Sequence, residues 1–111
     1  MSNEKTLRTL QRMIERMERT LQYCQNESFA SFQSNLMLQE ACVFNLLQIG
    51  ELAGRLSAEY VAASTQNWRA IKNMRNMFAH DYGSMDVERI WDTVITDIPI
   101  LIAACQKELG S

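Results

Sequence analysis

The shortage of chain-breaking residues constrains the fold of this chain more than any other feature of its sequence. Only four glycines and one proline occur among 111 residues, and no stretch alternates apolar and polar side chains for long. A strand needs that alternation, and frequent tight turns need those two residues. The periodicity to expect is therefore helical.

The first half of the chain predicts two long helices separated by a turn. The first helix is predicted over residues 4–24, with Ser2 or Asn3 as its N-cap. A polar turn follows, with one helical turn that carries Phe29 and Phe32. Apolar residues recur every three or four positions along the first helix, which places them on one side: Leu7, Leu10, Ile14, Met17 and Leu21.

The second helix is predicted to start near Ser34 and to be largely buried. Gly50 and Gly54 lie four residues apart in it, a spacing that predicts a small-residue notch where another helix packs closely. A short helical turn and a loop are expected after it, in the stretch "SAEYVAASTQN". The apolar residues expected to face inward along this helix are Leu36, Ala41, Phe44, Leu47, Leu52 and Leu56.

The second half of the chain predicts two more helices. The third helix is expected from an Asn67 cap to about His80, with Trp68, Ile71, Met74 and Phe78 pointing inward and Gly83 as its stop. The fourth helix is expected from an Asp86 cap towards Leu109. Because Pro99 removes a backbone hydrogen bond there, a kink or a restart capped by Asp97 is predicted. The fold class is therefore all-α, an antiparallel up-and-down four-helix bundle with a short extra helical turn, in one domain over residues 1–111.

Composition limits the function. The formal charge of −2 does not indicate general binding to polyanions, so an RNA or DNA partner would need a local basic patch. The longest apolar run, Ile98 to Cys105, is far shorter than the roughly 20 residues that cross a bilayer. The N-terminus has no signal-peptide core, so no membrane association and a cytoplasmic location are expected. The three cysteines are widely spaced among apolar neighbours, which is typical of reduced structural thiols.

The stretch "RNMFAHDYGSMD" holds the densest group of polar residues and the one histidine of the chain. On a continuous helix Asn73, Asn76 and His80 share a face, and Arg75 and Tyr82 align on a neighbouring strip. One imidazole without a nearby cysteine or second histidine is too few ligands for a transition metal, so no metal or cofactor is expected. These residues also fit a merely structural role, with His80 favoured by the helix dipole, Arg75 solvated and Tyr82 packed with its hydroxyl exposed.

The Arg75, His80 and Tyr82 series resembles the signature of HEPN ribonuclease domains, specifically the HepT type that serves as toxin in two-gene toxin–antitoxin systems. The likeness extends to "LLQIGELAGRLS", to "NWRAIKNMRNMFAHDYGSMDVERIW" and to "DIPIL", in the same order as in the family. It covers residues 41–109, about two-thirds of the chain.

The resemblance implies a metal-independent endoribonuclease that forms a homodimer, with the motifs of two chains facing one cleft. Two copies of His80 would then act as general acid and base, since an imidazole has an ordinary pKa of about 6.5. Arg75 would stabilise the charge on the phosphorane, and Asn76 would orient His80 or the phosphate. The resemblance further implies that a minimal nucleotidyltransferase antitoxin attaches AMP to Tyr82.

Two basic strips are candidates for contact with RNA. Arg69, Lys72 and Arg75 form the strip on the same predicted helix as the motif; this strip is the better candidate, and Asn73 is expected to contact RNA beside Arg69 and Lys72. Helix one carries a second strip, which fits equally a solvated face paired with Glu4, Glu15 and Glu18. That strip consists of Arg8, Arg12, Arg16 and Arg19.

Two other functions remain open at this point. A catalytically silent relative would bind nucleotides or a nucleotidyltransferase without cutting RNA. A purely structural helical adaptor would tolerate substitution of the whole motif.

Overall fold

The computed structural model describes residues 4–64, 66, 68, 71 and 86–110, and every regular element in this part of the chain is helical. The predicted all-α class is confirmed, while the up-and-down order of the bundle stays a prediction. A π-helical turn, Thr93–Asp97, joins the last two helices. The helices are α1 (Glu4–Cys24), α2 (Phe29–Gln33), α3 (Leu36–Ala53), α4 (Ala58–Ala63), α5 (Val87–Asp92) and α6 (Ile98–Gly110).

Side-chain caps define where the helices begin. The Asn35 side chain accepts a hydrogen bond from the backbone N–H of Leu38 at 3.0 Å and starts α3. The predicted cap Asp86 accepts from the backbone N–H of Arg89 at 3.1 Å and starts α5. Such caps are each worth about 1 kcal/mol, because they satisfy N–H groups that have no partner inside the helix.

The core forms where α1 packs against α3 and α6. Three of the residues predicted to face inward along α1 are buried, Leu10, Ile14 and Met17. Met13, which was not predicted, is fully buried, while Leu7 and Leu21 are half-buried. Phe32 of α2 is also fully buried, and its ring centroid lies 5.0 Å from that of Trp91 in α5. The short helix α2 therefore closes the core between α3 and α5.

The predicted inward face of α3 is partly wrong. Leu36 is 61% exposed and Phe44 is 53% exposed, whereas Gln39 and Asn45 are buried. Apolar residues occur nearly all around this helix, so their spacing could not distinguish the buried side. Gln39 is satisfied in the core because its amide nitrogen donates to the carbonyl oxygens of Phe32 and Gln33, at 2.9 and 3.0 Å. It thus supplies partners to carbonyl groups at the end of α2.

The predicted packing notch at Gly50 and Gly54 is also wrong. Gly50 is buried within α3, but Gly54 is exposed and forms the C-cap of that helix. The Gly54 backbone N–H donates to the carbonyl oxygen of Gly50 at 3.1 Å. The second glycine therefore ends the helix and does not extend a packing face.

Pro99 follows a local change in the hydrogen-bonding pattern of the helix but does not interrupt the helix. The chain stays helical from Val87 to Gly110, and the π turn Thr93–Asp97 lies directly before Ile98 and Pro99. A proline ring clashes with the carbonyl group four residues earlier, and one wider turn relieves that clash. The predicted restart with Asp97 as a cap is therefore replaced by a continuous helix with one π turn.

The three cysteines are free and buried, as expected for structural thiols. The sulfur atoms of Cys24 and Cys42 lie 3.6 Å apart and share a hydrogen bond between α1 and α3. That bond lowers the pKa of Cys24 and, together with burial, raises the pKa of Cys42. Burial, with a smaller contribution from the Glu108 carboxylate, raises the pKa of Cys105 to about 12.

Cys105 is expected to resist alkylation in the folded protein. The thiolate is the reactive form, and a pKa of about 12 leaves a thiolate fraction on the order of 10⁻⁴ at pH 8. Peptide mass spectrometry after iodoacetamide treatment should show little modification of Cys105 in buffer and complete modification in denaturant. Equal rates in the two conditions would contradict the buried position.

Candidate functional site

Two residues of the predicted third helix fall within the described part of the chain. Trp68 and Ile71 are both helical and buried, with exposed fractions of 2% and 6%. This agrees with the inward face predicted for the third helix. The candidate catalytic, modified and RNA-binding residues lie outside the described residues: Arg69, Lys72, Asn73, Arg75, Asn76, His80 and Tyr82.

Trp68, which lies at the start of the predicted third helix, is anchored to α4. Its indole N–H donates to the hydroxyl oxygen of Ser64, directly after α4, at 2.9 Å. Its ring also contacts that of Tyr60 in α4, with centroids 6.3 Å apart and planes inclined at 45°. A buried tryptophan with a satisfied N–H is a strong local constraint, because both its apolar area and its polar atom have partners.

Tyr60 connects this anchor to α6. Burial raises the pKa of the Tyr60 phenol, and the nearby Glu108 carboxylate of α6 raises it further. The hydroxyl is buried and has no hydrogen bond of standard geometry among the described residues. Trp68 therefore packs on Tyr60 of α4, which in turn lies near Glu108 in the C-terminal part of α6.

The other end of the motif segment is also defined. Asp86 caps α5, which packs against α2 and α3, with the Trp91 ring against Phe32 of α2 and with Ile90 buried. Residues 72–85 therefore connect two anchored positions, Ile71 and Asp86.

Arg8, Arg12 and Arg19 of α1 are exposed, which agrees with the solvated face that was one interpretation of the sequence. Arg8 pairs with Glu4 at 3.2 Å on an exposed surface. The next three arginines of the strip, Arg12, Arg16 and Arg19, line a recess between α1 and α3. Arg55, just after α3, lines the same recess.

Arg16 is the most constrained of these arginines. Its guanidinium donates to the side-chain oxygen of Asn45 at 3.2 Å, and its central carbon lies 5.5 Å from the centre of the Phe44 ring. Asn45 is 2% exposed, and its amide nitrogen has no hydrogen-bond partner among the described residues.

Sequence reasoning missed Arg55 and Asn45. An asparagine in the middle of the apolar run "CVFNLLQI" is a usable signal, since buried polar groups are retained where they have partners. Nothing in the local sequence of Arg55 indicates that it faces α1, because that proximity depends on how the two helices pack.

No three histidine, cysteine, aspartate or glutamate side chains come together as a metal-ligand group in the described ranges. None of the helices in those ranges is both long enough and apolar enough to span a bilayer.

The described part of the chain, all of whose regular elements are helical, fits a broad class of small helical domains, and sequence comparison narrows that class. The family described as "Ribonuclease HepT-like" matches residues 10–108. The chain belongs to this HepT-like ribonuclease family.

Two curated relatives carry ribonuclease names. "Putative RNase MJ0127" of Methanocaldococcus jannaschii is 26% identical over 88 residues, which cover 78% of this chain and 73% of the relative. "Putative RNase TTE0752" of Caldanaerobacter subterraneus subsp. tengcongensis is 28% identical over 93 residues, which cover 83% of each chain. No solved structure is significantly similar to this chain.

Proposed function

We propose that this chain is a metal-independent endoribonuclease toxin whose active site is formed at a homodimer interface. The observation that carries the proposal is the family match over residues 10–108, which includes an intact series of Arg75, His80 and Tyr82. The proposed substrate is RNA, and the proposed place of action is the cytoplasm.

The proposed reaction uses the substrate's own 2'-hydroxyl group as nucleophile. One copy of His80 removes the 2'-hydroxyl proton, the oxygen attacks the adjacent phosphorus, and the 5'-oxygen leaves with a proton from the other copy. The products are a 2',3'-cyclic phosphate and a 5'-hydroxyl, with no water consumed in this step. Arg75 donates two hydrogen bonds to the phosphorane oxygens, and Asn76 orients the imidazole or the phosphate.

The direct test is cleavage of single-stranded RNA by purified protein in the presence of EDTA. We expect cleavage, 2',3'-cyclic phosphate ends and no cleavage of the matching all-deoxy strand, which lacks the nucleophile. A His80→Ala preparation purified in parallel controls for contaminating nuclease. Cleavage that EDTA abolishes and a divalent cation restores would replace this mechanism with a metal-dependent one.

The protein is expected to be a dimer in solution. Each chain has a single histidine, so two chains that contribute to one site would supply one imidazole as the acid and a second as the base. Light scattering at micromolar concentration should give twice the mass of the 111-residue chain. A monomer that cuts RNA at the same concentration would exclude the shared site.

A partner nucleotidyltransferase is proposed to restrain the toxin by attaching AMP to Tyr82. The added phosphodiester would place negative charge beside Arg75, where the RNA phosphate must bind, and could pair with that arginine. Mass spectrometry of protein co-expressed with the partner should show one or more AMP units on the Tyr82 peptide. Tyr82→Phe should carry none, and an inactive wild-type complex without the adduct would indicate steric masking instead.

If the purified protein binds nucleotides or the transferase but leaves RNA intact, the catalytically silent alternative replaces the enzyme. Unchanged phenotypes after substitution of the whole motif would instead indicate a structural adaptor.

A further inference from the structure

We propose that the recess between α1 and α3 binds a phosphate group of the RNA backbone, at a position separate from the catalytic motif. This inference rests on the proposed function, because it assigns a second contact to the same RNA substrate. The four arginines that line the recess, Arg12, Arg16, Arg19 and Arg55, are named below as the arginine recess.

The arrangement of the two helices creates this concentration of charge. Arg12, Arg16 and Arg19 are spaced by four and three residues and so lie along one side of α1. Arg55 follows α3, which packs along α1 and brings its last turns opposite that side. Charges that are distant in sequence therefore meet in one small volume.

The sign of the recess favours an anion. Four arginines and two glutamates, Glu15 and Glu51, contribute to its lining, so positive charge exceeds negative charge by two. An arginine is always protonated at physiological pH, and the guanidinium fork matches phosphate oxygens in two parallel hydrogen bonds. Mutual repulsion among the arginines is relieved when an anion lies between them.

The structure holds one of the arginines in place. Arg16 donates to the buried Asn45 side chain at 3.2 Å and lies against the Phe44 ring. Asn45 is buried in the core, so its side chain holds Arg16 through this bond. A guanidinium that is already positioned loses less entropy when it binds phosphate.

The size and lining of the recess indicate which part of a nucleic acid it binds. Its volume of about 150 Å³ is below the range of roughly 300–1,000 Å³ typical of sites that enclose a whole small molecule. One leucine and a glutamine complete the lining, so the recess offers no aromatic surface on which a base could stack. A phosphodiester fits both facts, and its recognition would be independent of base sequence.

The test compares charge removal inside and outside the recess. Arg12→Gln and Arg55→Gln are combined in a His80→Ala background, so that bound RNA is not cut and the positioned Arg16 is left in place. Arg8→Gln in the same background is the matched control, since it removes one charge from the same helix at the exposed pair with Glu4. A second control combines Arg8→Gln with Lys5→Gln, so that it loses two positive charges, as the recess variant does.

Fluorescence anisotropy with labelled single-stranded RNA measures binding. We expect the recess variant to bind about tenfold more weakly than the parent, and the two-charge control to bind within about twofold of it. The slope of log affinity against log salt should become shallower by about 0.7 for each lost phosphate contact in the recess variant. Circular dichroism melts verify that the variants are folded, and Arg19→Gln replaces Arg12→Gln if the first combination does not fold.

Two further probes identify the ligand. An uncharged peptide nucleic acid of the same base sequence should not compete, and single-stranded DNA should compete, because the recess contacts phosphate. Equal loss of affinity in the recess variant and the two-charge control would overturn the proposal. Competition by polyglutamate as effective as that by RNA would also overturn it and indicate an acidic protein partner.

Failure of this inference is distinguishable from failure of the proposed function. If the wild-type chain cuts RNA and the recess variant binds RNA as tightly as its parent, only the proposal about the recess is wrong. If the wild-type chain does not cut RNA but the recess variant specifically loses RNA binding, the ribonuclease proposal is wrong and the recess is still an RNA-binding surface.

Discussion

Replacement of His80 by alanine is expected to reduce the rate of RNA cleavage by roughly 10²–10⁴-fold, the usual contribution of a positioned general acid or base. In the proposed dimer one substitution removes both the acid and the base, so the loss should fall at the upper end of that range. Single-turnover cleavage rates measure the chemical step without a contribution from product release.

The melting temperature of His80→Ala should stay close to that of the wild type, because a polar site residue adds little to core burial. Arg75→Ala is expected to lower the rate by about 10²–10³-fold, and Arg75→Lys should recover only part of it, since an ammonium group lacks the planar fork. Arg8→Ala serves as a control with the same loss of charge at an exposed position. A His80→Ala protein that cuts RNA at the wild-type rate would exclude the proposed mechanism.

Replacement of Trp68 by alanine is expected to destabilise the fold by about 3–5 kcal/mol, the usual cost of removing a buried tryptophan. Trp68 is 2% exposed, contacts the Tyr60 ring and donates to Ser64, so the alanine variant loses packing and a hydrogen bond together. That cost is a large fraction of the roughly 5–15 kcal/mol that stabilises an ordinary domain. Urea denaturation followed by circular dichroism measures the change.

Two further variants separate the contribution of packing from that of the hydrogen bond. Ser64→Ala removes only the acceptor of the indole N–H and should cost about 1–3 kcal/mol. Trp68→Phe keeps most of the apolar area and should lie between Ser64→Ala and Trp68→Ala. A change below about 1 kcal/mol in Trp68→Ala would contradict the buried anchor.

Trp91→Ala tests whether the anchor also matters for the motif. Trp91 packs against Phe32 in α2, away from the Ser64 and Tyr60 contacts of Trp68. Both variants lose a tryptophan. If Trp68 positions the motif helix, its variants should lower cleavage more than Trp91→Ala does under conditions where each protein is folded.

Helix positions could be predicted from the sequence because local physical chemistry decides them. The period of apolar residues and the polar segment after Cys24 predicted α1 at residues 4–24, and the structure has it over Glu4–Cys24. Asp86 was predicted as an N-cap and accepts the expected backbone hydrogen bond. A capping interaction involves residues within one turn, so no tertiary contact is needed to recognise it.

The candidate site could be predicted only as a pattern. Arg75, His80 and Tyr82 were selected by their spacing and by the likeness to a ribonuclease family, and the family match supports the class of protein. Their roles stay predictions. The sequence indicated only the α1 side of the arginine recess. The residues that face α1 lie more than twenty positions later in the chain, in α3 and directly after it.

Within the described residues, the sequence by itself determined which segments are helical, where most of them start and most of the buried side of α1. It also determined the family of the chain. Each of these depends on neighbours within a few turns or on a linear motif. Only the tertiary structure decided the buried side of α3, the role of Gly54 as a helix end, and the continuity of the last helix past Pro99 through a π turn. It also brought Arg55 opposite α1 and placed Asn45 behind Arg16. The physical reason is the same in each case: an apolar helix has several sides that could be buried, and packing between distant segments selects one of them.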